Sequence, residues 1–309
     1  MLKKLVIGKW ETTIGEAELV PETVILELED FLTNQWSQAA MEDVKEIGSW
    51  WWGAKELGLP SPIVRVDMAP TLINPSKRSI YEVEVRPAGL GTALTLLPGE
   101  RSQWKEVLKK SGCQGFVSLE TSVQDDGLAA ELLEIPYFEE FPFRPGPFWI
   151  RTAPDDPRAQ VLEGNSLVPI RMDGYKGYLL RLGLATSVKD CSELPWESGF
   201  VIKPLQGARM EGIEIWLPQE RPGRGLSTKT RISRRLQEST PYLLQPFVSP
   251  KEEEYEGRQG WTIWRLFFGR GFLGWRERYF FIGGIWNWRP NFRVHGASDA
   301  IMGPVEVSK

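Results

Sequence analysis

The chain has 309 residues, 41% hydrophobic and 25% charged, a globular balance that allows one large domain or two of ordinary size. A formal net charge of −4 argues against a general binder of nucleic acid or of anionic membranes. One histidine and two cysteines leave no His/Cys zinc site and no disulfide framework, and no nucleophile-elbow sequence accompanies His295, so any chemistry falls to carboxylates, lysines and arginines.

The opening run from Met1 to Gly8 is too short and turns polar too soon for a signal peptide, and no stretch of about 18 apolar residues occurs. The expected setting is therefore a reducing cytoplasm, away from membranes. Residues 1–20 read as strand and turn. Helical patterns follow over Pro21–Trp36 and Ala39–Leu57, the second with Ala40, Val44, Ile47, Trp50 and Trp51 at roughly helical spacing, stopped by Gly58-Leu-Pro-Ser-Pro62. The run Trp50–Trp52 reads as core, and most of the fourteen tryptophans as core or cleft-lining.

Two alternating strands come next. Ile63-Val-Arg65-Val-Asp67-Met puts Arg65 and Asp67 on one face, and Ile80-Tyr-Glu82-Val-Glu84-Val-Arg86 does the same for Glu82, Glu84 and Arg86. If the strands pair, three carboxylates and two arginines gather on one sheet face. Two readings stay open: the solvated outside of a hairpin, or a site that a hard cation such as Mg²⁺ would neutralise. Pro87–Gly91 reads as a turn, Ser102–Lys110 as a helix, Cys113–Leu119 as a strand, and Asp125–Ile135 as a helix capped by its own aspartate. Pro136–Pro147 reads as a connector, Trp149–Arg151 as a short strand and Ala153–Pro157 as a turn.

The character changes near Asn165. A short helix over Tyr175–Leu182 carries Lys176 near its start, and Gly183–Ser187 is a turn or short strand. Phe200-Val-Ile-Lys203-Pro204, a loop from Gln206 to Gly212 with Gly207 and Gly212 at its ends, and the alternating Ile213–Leu217 form a hairpin. A lysine at a strand end beside a glycine loop holds phosphates in many proteins, and it is also what an ordinary surface hairpin looks like. Pro222–Gly225 is a loop, Ser227–Ser239 a basic helix capped by Ser227, and Tyr242-Leu-Leu-Gln245 the body of a strand. Lys251–Gly260 reads as a charged loop. Trp261–Phe268 and Gly271–Phe281 read as a hairpin turning at Gly269-Arg-Gly271, with Arg265, Arg276 and Arg278 on it. The tail over Gly283–Val307 is mixed strand and loop, with His295 as a structural residue.

In their order, these motifs make residues 60–300 resemble a circularly permuted ATP-grasp ligase, in particular the synthetase domain of glutathionylspermidine synthases. Arg65-Val-Asp67 and Glu82-Val-Glu84 are similar to that family's Arg-x-Asp and Glu-x-Asn metal-binding pair, with Glu84 standing where the family has asparagine. Lys176 looks like the first nucleotide lysine, Lys203 with its glycine loop like the second, and Tyr242–Gln245 like the strand that reads adenine. The carboxylates precede the lysines, the reverse of an unpermuted ATP-grasp.

The resemblance implies an α+β, ATP-grasp-like fold with a nucleotide cleft between two subdomains that each contain an antiparallel sheet. Its parts would be a substrate-side packing region over 1–60, the metal-binding core over 61–164, a nucleotide lid over 165–250 and returning strands over 251–309. It implies ATP held by Lys176, Lys203, Gln206, Gly207, Gly212 and Gln245, and Mg²⁺ held by Asp67, Glu82 and Glu84. It also implies phosphoryl stabilisation by Arg65 with Arg276 or Arg278. The expected activity joins a small-molecule or peptide carboxylate to an amine, and the net negative charge favours a cationic amine. Competing expectations are a nucleotide-binding module without ligase chemistry, for which Glu84 argues, and an interaction protein built on tryptophan-lined clefts.

Overall fold

The computed structural model describes residues 3–7, 10–47, 62–70, 79–85, 87–118, 124–139, 149–151, 176–205, 212–218, 224–237, 241–273, 276–291 and 300–309. The readings of Trp50–Trp52, Arg86, Ala153–Pro157, Gln206, Gly207 and His295 lie outside them.

The chain opens with strands β1 (Lys3–Ile7), β2 (Trp10–Ile14) and β3 (Glu18–Pro21). Helix α1 (Glu22–Phe31) runs through a π-helical turn, Leu32–Trp36, into α2 (Ser37–Ile47). Strands β4 (Ile63–Met68) and β5 (Ile80–Val85) follow, then helices α3 (Leu90–Leu96) and α4 (Arg101–Lys110). Next come β6 (Phe116–Ser118), α5 (Gln124–Leu133), β7 (Tyr137–Phe138) and β8 (Trp149–Arg151). The following part holds α6 (Gly177–Arg181), β9 (Thr186–Val188), β10 (Phe200–Pro204), β11 (Glu214–Trp216), α7 (Arg224–Leu236) and β12 (Tyr242–Pro246). Strands β13 (Lys251–Tyr255), β14 (Arg258–Leu273), β15 (Arg276–Arg289) and β16 (Ile301–Ser308) close the chain.

Among the described residues these strands build three sheets in an α+β arrangement, with no barrel. The largest has nine strands in the order β1-β2-β16-β15-β14-β4-β5, with β13 on β14 and β3 on β16. A four-stranded antiparallel sheet runs β11-β10-β12-β9, and a small parallel sheet runs β7-β6-β8. No described helix is long and apolar enough to cross a membrane.

The period-two pattern of β4 divides the large sheet. Val64, Val66 and Met68 join Val83, Leu266 and Trp286 in a core under α1, the π-turn and α2. Ile63, with Phe267 on β14, points the other way, into a second core made with α3, α4 and α5. On the four-stranded sheet, Phe200 and Ile202 pack with Tyr242 and with Ile232 of α7. By alternation Lys203 and Gln245 face away from that packing. Five tryptophans, Trp36, Trp104, Trp264, Trp286 and Trp288, are among the largest fully buried side chains, as their area would require.

Several boundaries differ from the sequence reading, each for a physical reason. Gly269 and Gly271 lie inside β14, opposite Phe280 and Arg278, and the hairpin turns between Leu273 and Arg276 instead. A Cβ at Gly269 would sit 2.6 Å from Val107, and one at Gly271 would sit 2.6 Å from the Phe280 ring, so these glycines admit close neighbours. Asp125 does not cap its own helix. Its carboxylate accepts from Gly91 N (3.1 Å), Thr92 N (2.8 Å) and Thr92 Oγ1 (2.9 Å), so it caps α3, whose first two residues the sequence reading placed in a turn. The basic helix begins at Arg224 and not at Ser227.

Lys251–Tyr255, read as a loop from its charge, is strand β13. Lys251, Glu253 and Tyr255 alternate toward the sheet while Glu252 and Glu254 are exposed. Lys251 Nζ lies 2.5 Å from Glu253 and 3.7 Å from Glu18, and Tyr255 stacks on Trp286 with centroids 5.3 Å apart. Trp264 Nε1 donates to Glu18 Oε2 at 2.7 Å.

Burial pushes the Glu18 carboxyl up to about 7, and Glu253 adds to this, against the Trp264 donor and Lys251. The folded protein therefore keeps a proton that the unfolded chain loses near 4.5. The resulting stabilisation is full below that value and is lost as pH rises through about 7. We expect Glu18→Gln, which cannot ionise, to flatten the stability–pH slope in this window by on the order of 2 kcal/mol. Urea midpoints of both proteins across the window would measure it. Parallel slopes would show that Glu18 does not titrate there.

Candidate functional site

The site forms where the free edge of the large sheet meets the four-stranded sheet. Antiparallel pairing sets Arg65 opposite Glu84 and Asp67 opposite Glu82. On the other side of β4, Arg265 lies opposite Asp67. Directly opposed residues share a face, so Arg65, Asp67, Glu82, Glu84 and Arg265 form one charged patch on the face that carries Ile63 and Phe267. The patch is not a solvated hairpin exterior, because the Arg65 side chain is only 7% exposed and that of Asp67 16%.

Arg65 is the centre of the patch. Its guanidinium grips Asp67 with two parallel bonds, Nε to Oδ1 at 2.6 Å and Nη2 to Oδ2 at 2.9 Å. It also pairs with Glu84 Oε2 and donates from Nη1 to the Ala88 carbonyl at 2.6 Å. Glu84 in turn accepts from Ala88 N at 3.2 Å. Burial opposes the charge on Arg65, but Asp67 and Glu84 outweigh it and hold the group above its ordinary value. Arg265 is treated differently. Burial, reinforced by repulsion from Arg65, lowers it to about 10. Its Nε lies 3.7 Å from Asp67 Oδ2 and makes no hydrogen bond among the described residues. The Asn287 amide, in the orientation that satisfies both its ends, accepts from Arg265 Nη1 at 3.0 Å.

The remaining groups arrive from the second half of the chain. Lys176 precedes α6, and its backbone N–H donates to Leu205 O at 2.9 Å, which ties the helix start to the end of β10. Its ammonium lies 3.5 Å from Glu82 Oε1. On the four-stranded sheet Val201 pairs with Gln245 and Lys203 with Leu243, so Lys203 and Gln245 lie on one face. Lys203 Nζ donates to Tyr81 O at 2.9 Å, and Gln245 Nε2 to Ile80 O at 3.2 Å. Burial presses Lys203 below the usual lysine range; Glu82 works against this and Lys176 with it. Buried amines lose charge stabilisation unless an anion meets them.

The structure thus brings together Arg65, Asp67, Glu82, Glu84, Lys176, Lys203 and Gln245. Gly212 sits at the end of the hairpin with φ +71, a left-handed turn that favours glycine, and a Cβ there would lie 3.3 Å from Tyr242 Oη and from Pro204. Arg276 and Arg278 are not brought to the patch. Both are exposed, opposite Leu273 and Gly271 near the hairpin tip, roughly 20 Å or more along the strand from Arg265. The strand arginine beside Asp67 is Arg265. The signal for it was present: in Trp261–Phe268, Ile263, Arg265 and Phe267 alternate onto one face, so a single arginine interrupts an apolar row.

Among the described residues, no three Asp, Glu, His or Cys side chains are grouped to hold a metal on their own. The physical reason is Arg65, which stands between Asp67 and Glu84. The donor set still suits Mg²⁺ in its usual mode, in which one or two carboxylates share the ion with substrate phosphates and water. Asp67 and Glu82 are the cross-strand pair for that role. No protein-family model matches the chain, and no curated protein matches it.

Proposed function

We propose that the protein is an ATP-dependent, ADP-forming carboxylate–amine ligase of circularly permuted ATP-grasp architecture. One observation supports this most: two buried lysines and a glutamine, from segments near 176, 203 and 245, converge on an arginine–carboxylate patch made by residues 65–84. Nothing in local folding requires that meeting. A polyphosphate with a divalent cation would satisfy both halves of it, since phosphate oxygens take the lysines and the cation takes the carboxylates.

In this reading Lys176 and Lys203 hold the α- and β-phosphates, and Gly207–Gly212 would cover the γ-phosphate and exclude water. Gln245 and its backbone neighbours meet the adenine. Asp67 and Glu82, with Glu84 beside them, hold Mg²⁺, which when bound would neutralise phosphate charge. Arg65 and Arg265 stabilise the transferred phosphoryl group. A substrate carboxylate oxygen attacks the γ-phosphorus and releases ADP. An amine then attacks the acyl carbon, expels phosphate, loses a proton and leaves an amide. Positioning and electrostatics carry these steps, so the scarcity of histidine is no obstacle. The reaction is taken to be cytoplasmic, in keeping with Cys113 and Cys191, which form no disulfide.

A second reading is a nucleotide-binding module without ligase activity. The observation favouring it is Glu84, already engaged by Arg65 and Ala88. Release of ADP in the presence of a carboxylate and amine panel separates the two. Under the ligase reading Asp67→Asn folds but loses about 100-fold or more in ADP release. Full activity of Asp67→Asn would overturn the assignment of that carboxylate.

A further inference from the structure

β5 is the outermost strand on its side of the sheet, so alternate N–H and C=O groups along it face away from β4. Side chains from the second half of the chain close this edge. Lys203 takes Tyr81 O and Gln245 takes Ile80 O, while Tyr81 Oη donates to Val248 O at 3.1 Å. The middle of the edge belongs to Tyr178. Its hydroxyl accepts from Val83 N at 2.8 Å and donates to Val83 O at 3.1 Å. Val83 is the residue between Glu82 and Glu84.

Tyr178 is itself held firmly. It is 3% exposed and lies in α6, two residues after Lys176. Its ring meets Trp36 edge-on, with centroids 6.3 Å apart at 73°, and Trp36 meets Tyr279 in the same way at 5.7 Å and 80°. Trp36 ends the π-helical turn between α1 and α2, an irregularity that sets it against both tyrosines. A row of packed rings thus runs from the first helices to one hydroxyl. That hydroxyl fixes the backbone from which two carboxylates of the patch project.

We propose that Tyr178 is a positioning residue that holds Glu82 and Glu84 in register with Lys176 and so sets the metal-dependent part of nucleotide binding. The proposal rests on the nucleotide reading above. Tyr178 touches neither phosphate nor cation in this account; it acts through Val83. An unanchored β5 edge would let the carboxylates shift relative to the lysines, whose backbones stay tied elsewhere, Lys176 N to Leu205 O and Lys203 in the pairing of β10 with β12.

The test is calorimetric titration of the full chain with ATP, with and without Mg²⁺, for wild type and Tyr178→Phe. The variant keeps the ring and removes only the hydroxyl. Wild type is expected to bind ATP more tightly with Mg²⁺. In Tyr178→Phe that enhancement falls about tenfold, the scale on which supporting contacts of metal ligands act, while metal-free affinity stays within about twofold. Trp36→Phe, which keeps the hydroxyl but loosens the seat of its ring, is expected to lose about threefold of the enhancement. It carries the test should Tyr178→Phe fail to fold. Equal losses with and without Mg²⁺ would mark a merely structural tyrosine and overturn the proposal, as would an enhancement unchanged in both variants. Wild type that binds no ATP under either condition would instead overturn the nucleotide reading, and the proposal with it.

Discussion

Arg65→Met is expected to destabilise the protein by about 3 kcal/mol, the scale for removing one partner from a buried ion pair. Among the described residues, the guanidinium alone contacts Asp67, Glu84 and the Ala88 carbonyl together. Without it, Asp67, Glu82 and Glu84 face one another across two adjacent strands, with Arg265 and Lys176 as the nearest compensation. Glu84 is partly exposed, which places the estimate at the low end of the range seen for such losses. Arg65→Lys is expected to recover less than half of the deficit. One ammonium cannot reproduce the two-bond grip on Asp67 while also reaching Glu84 and Ala88. Urea denaturation of the three proteins measures this, and a neutral Arg65→Met would mean that the patch is screened as an exposed surface would be.

Lys203→Met is expected to weaken Mg-ATP binding by about 100-fold, the worth of a charge-assisted contact made in a water-poor site. The same change is expected to leave unliganded stability within about 1 kcal/mol of wild type. The two effects differ because the lysine is a poor structural residue. It is 6% exposed, and burial already presses its ammonium toward the neutral form. Methionine has similar length and no charge to desolvate, so the gain from its burial offsets the hydrogen bond lost at Tyr81 O. Calorimetry for binding and thermal melting for stability separate the terms. Loss of both together would make Lys203 a structural clamp and remove it from the nucleotide assignment.

The parts of the site that were legible in the sequence are those written in local periodicity. Alternation in Ile63–Met68 and Ile80–Val85 gave the shared face of Arg65, Asp67, Glu82 and Glu84, and the hairpin around Lys203 was marked by its glycines. The short helix read over Tyr175–Leu182 put Lys176 near a helix start. The parts not legible are those set by long-range pairing. Nothing near Trp261 says that β14 will lie against β4, about 200 residues earlier in the chain, and that pairing is what makes Arg265 a neighbour of Asp67 and leaves Arg276 and Arg278 at a hairpin tip. Asp125 looked like the cap of its own helix because capping is read locally, whereas its partners are 33 and 34 residues away on α3. β13 was hidden by charge: the alternation of Lys251, Glu253 and Tyr255 is real, but its inward groups are ionic and are matched by Glu18 on another strand. Tyr178 carried no signal, since a tyrosine inside a short apolar helix reads as core.

The central claim is that residues 65–84 and 176–245 meet to hold Mg-ATP, and thermal melting of the wild-type chain with that ligand tests it most directly. A ligand at a hundred times its dissociation constant stabilises the folded state by about 2.7 kcal/mol. For a chain of this size that is a rise of roughly 5 °C in melting temperature. Such a rise is expected with Mg-ATP, a smaller one with ATP alone, and one below about 1 °C for Lys203→Met at the same concentration, where a site weakened 100-fold gains only about 0.4 kcal/mol. Melting curves of the wild type that coincide with and without millimolar Mg-ATP would contradict it.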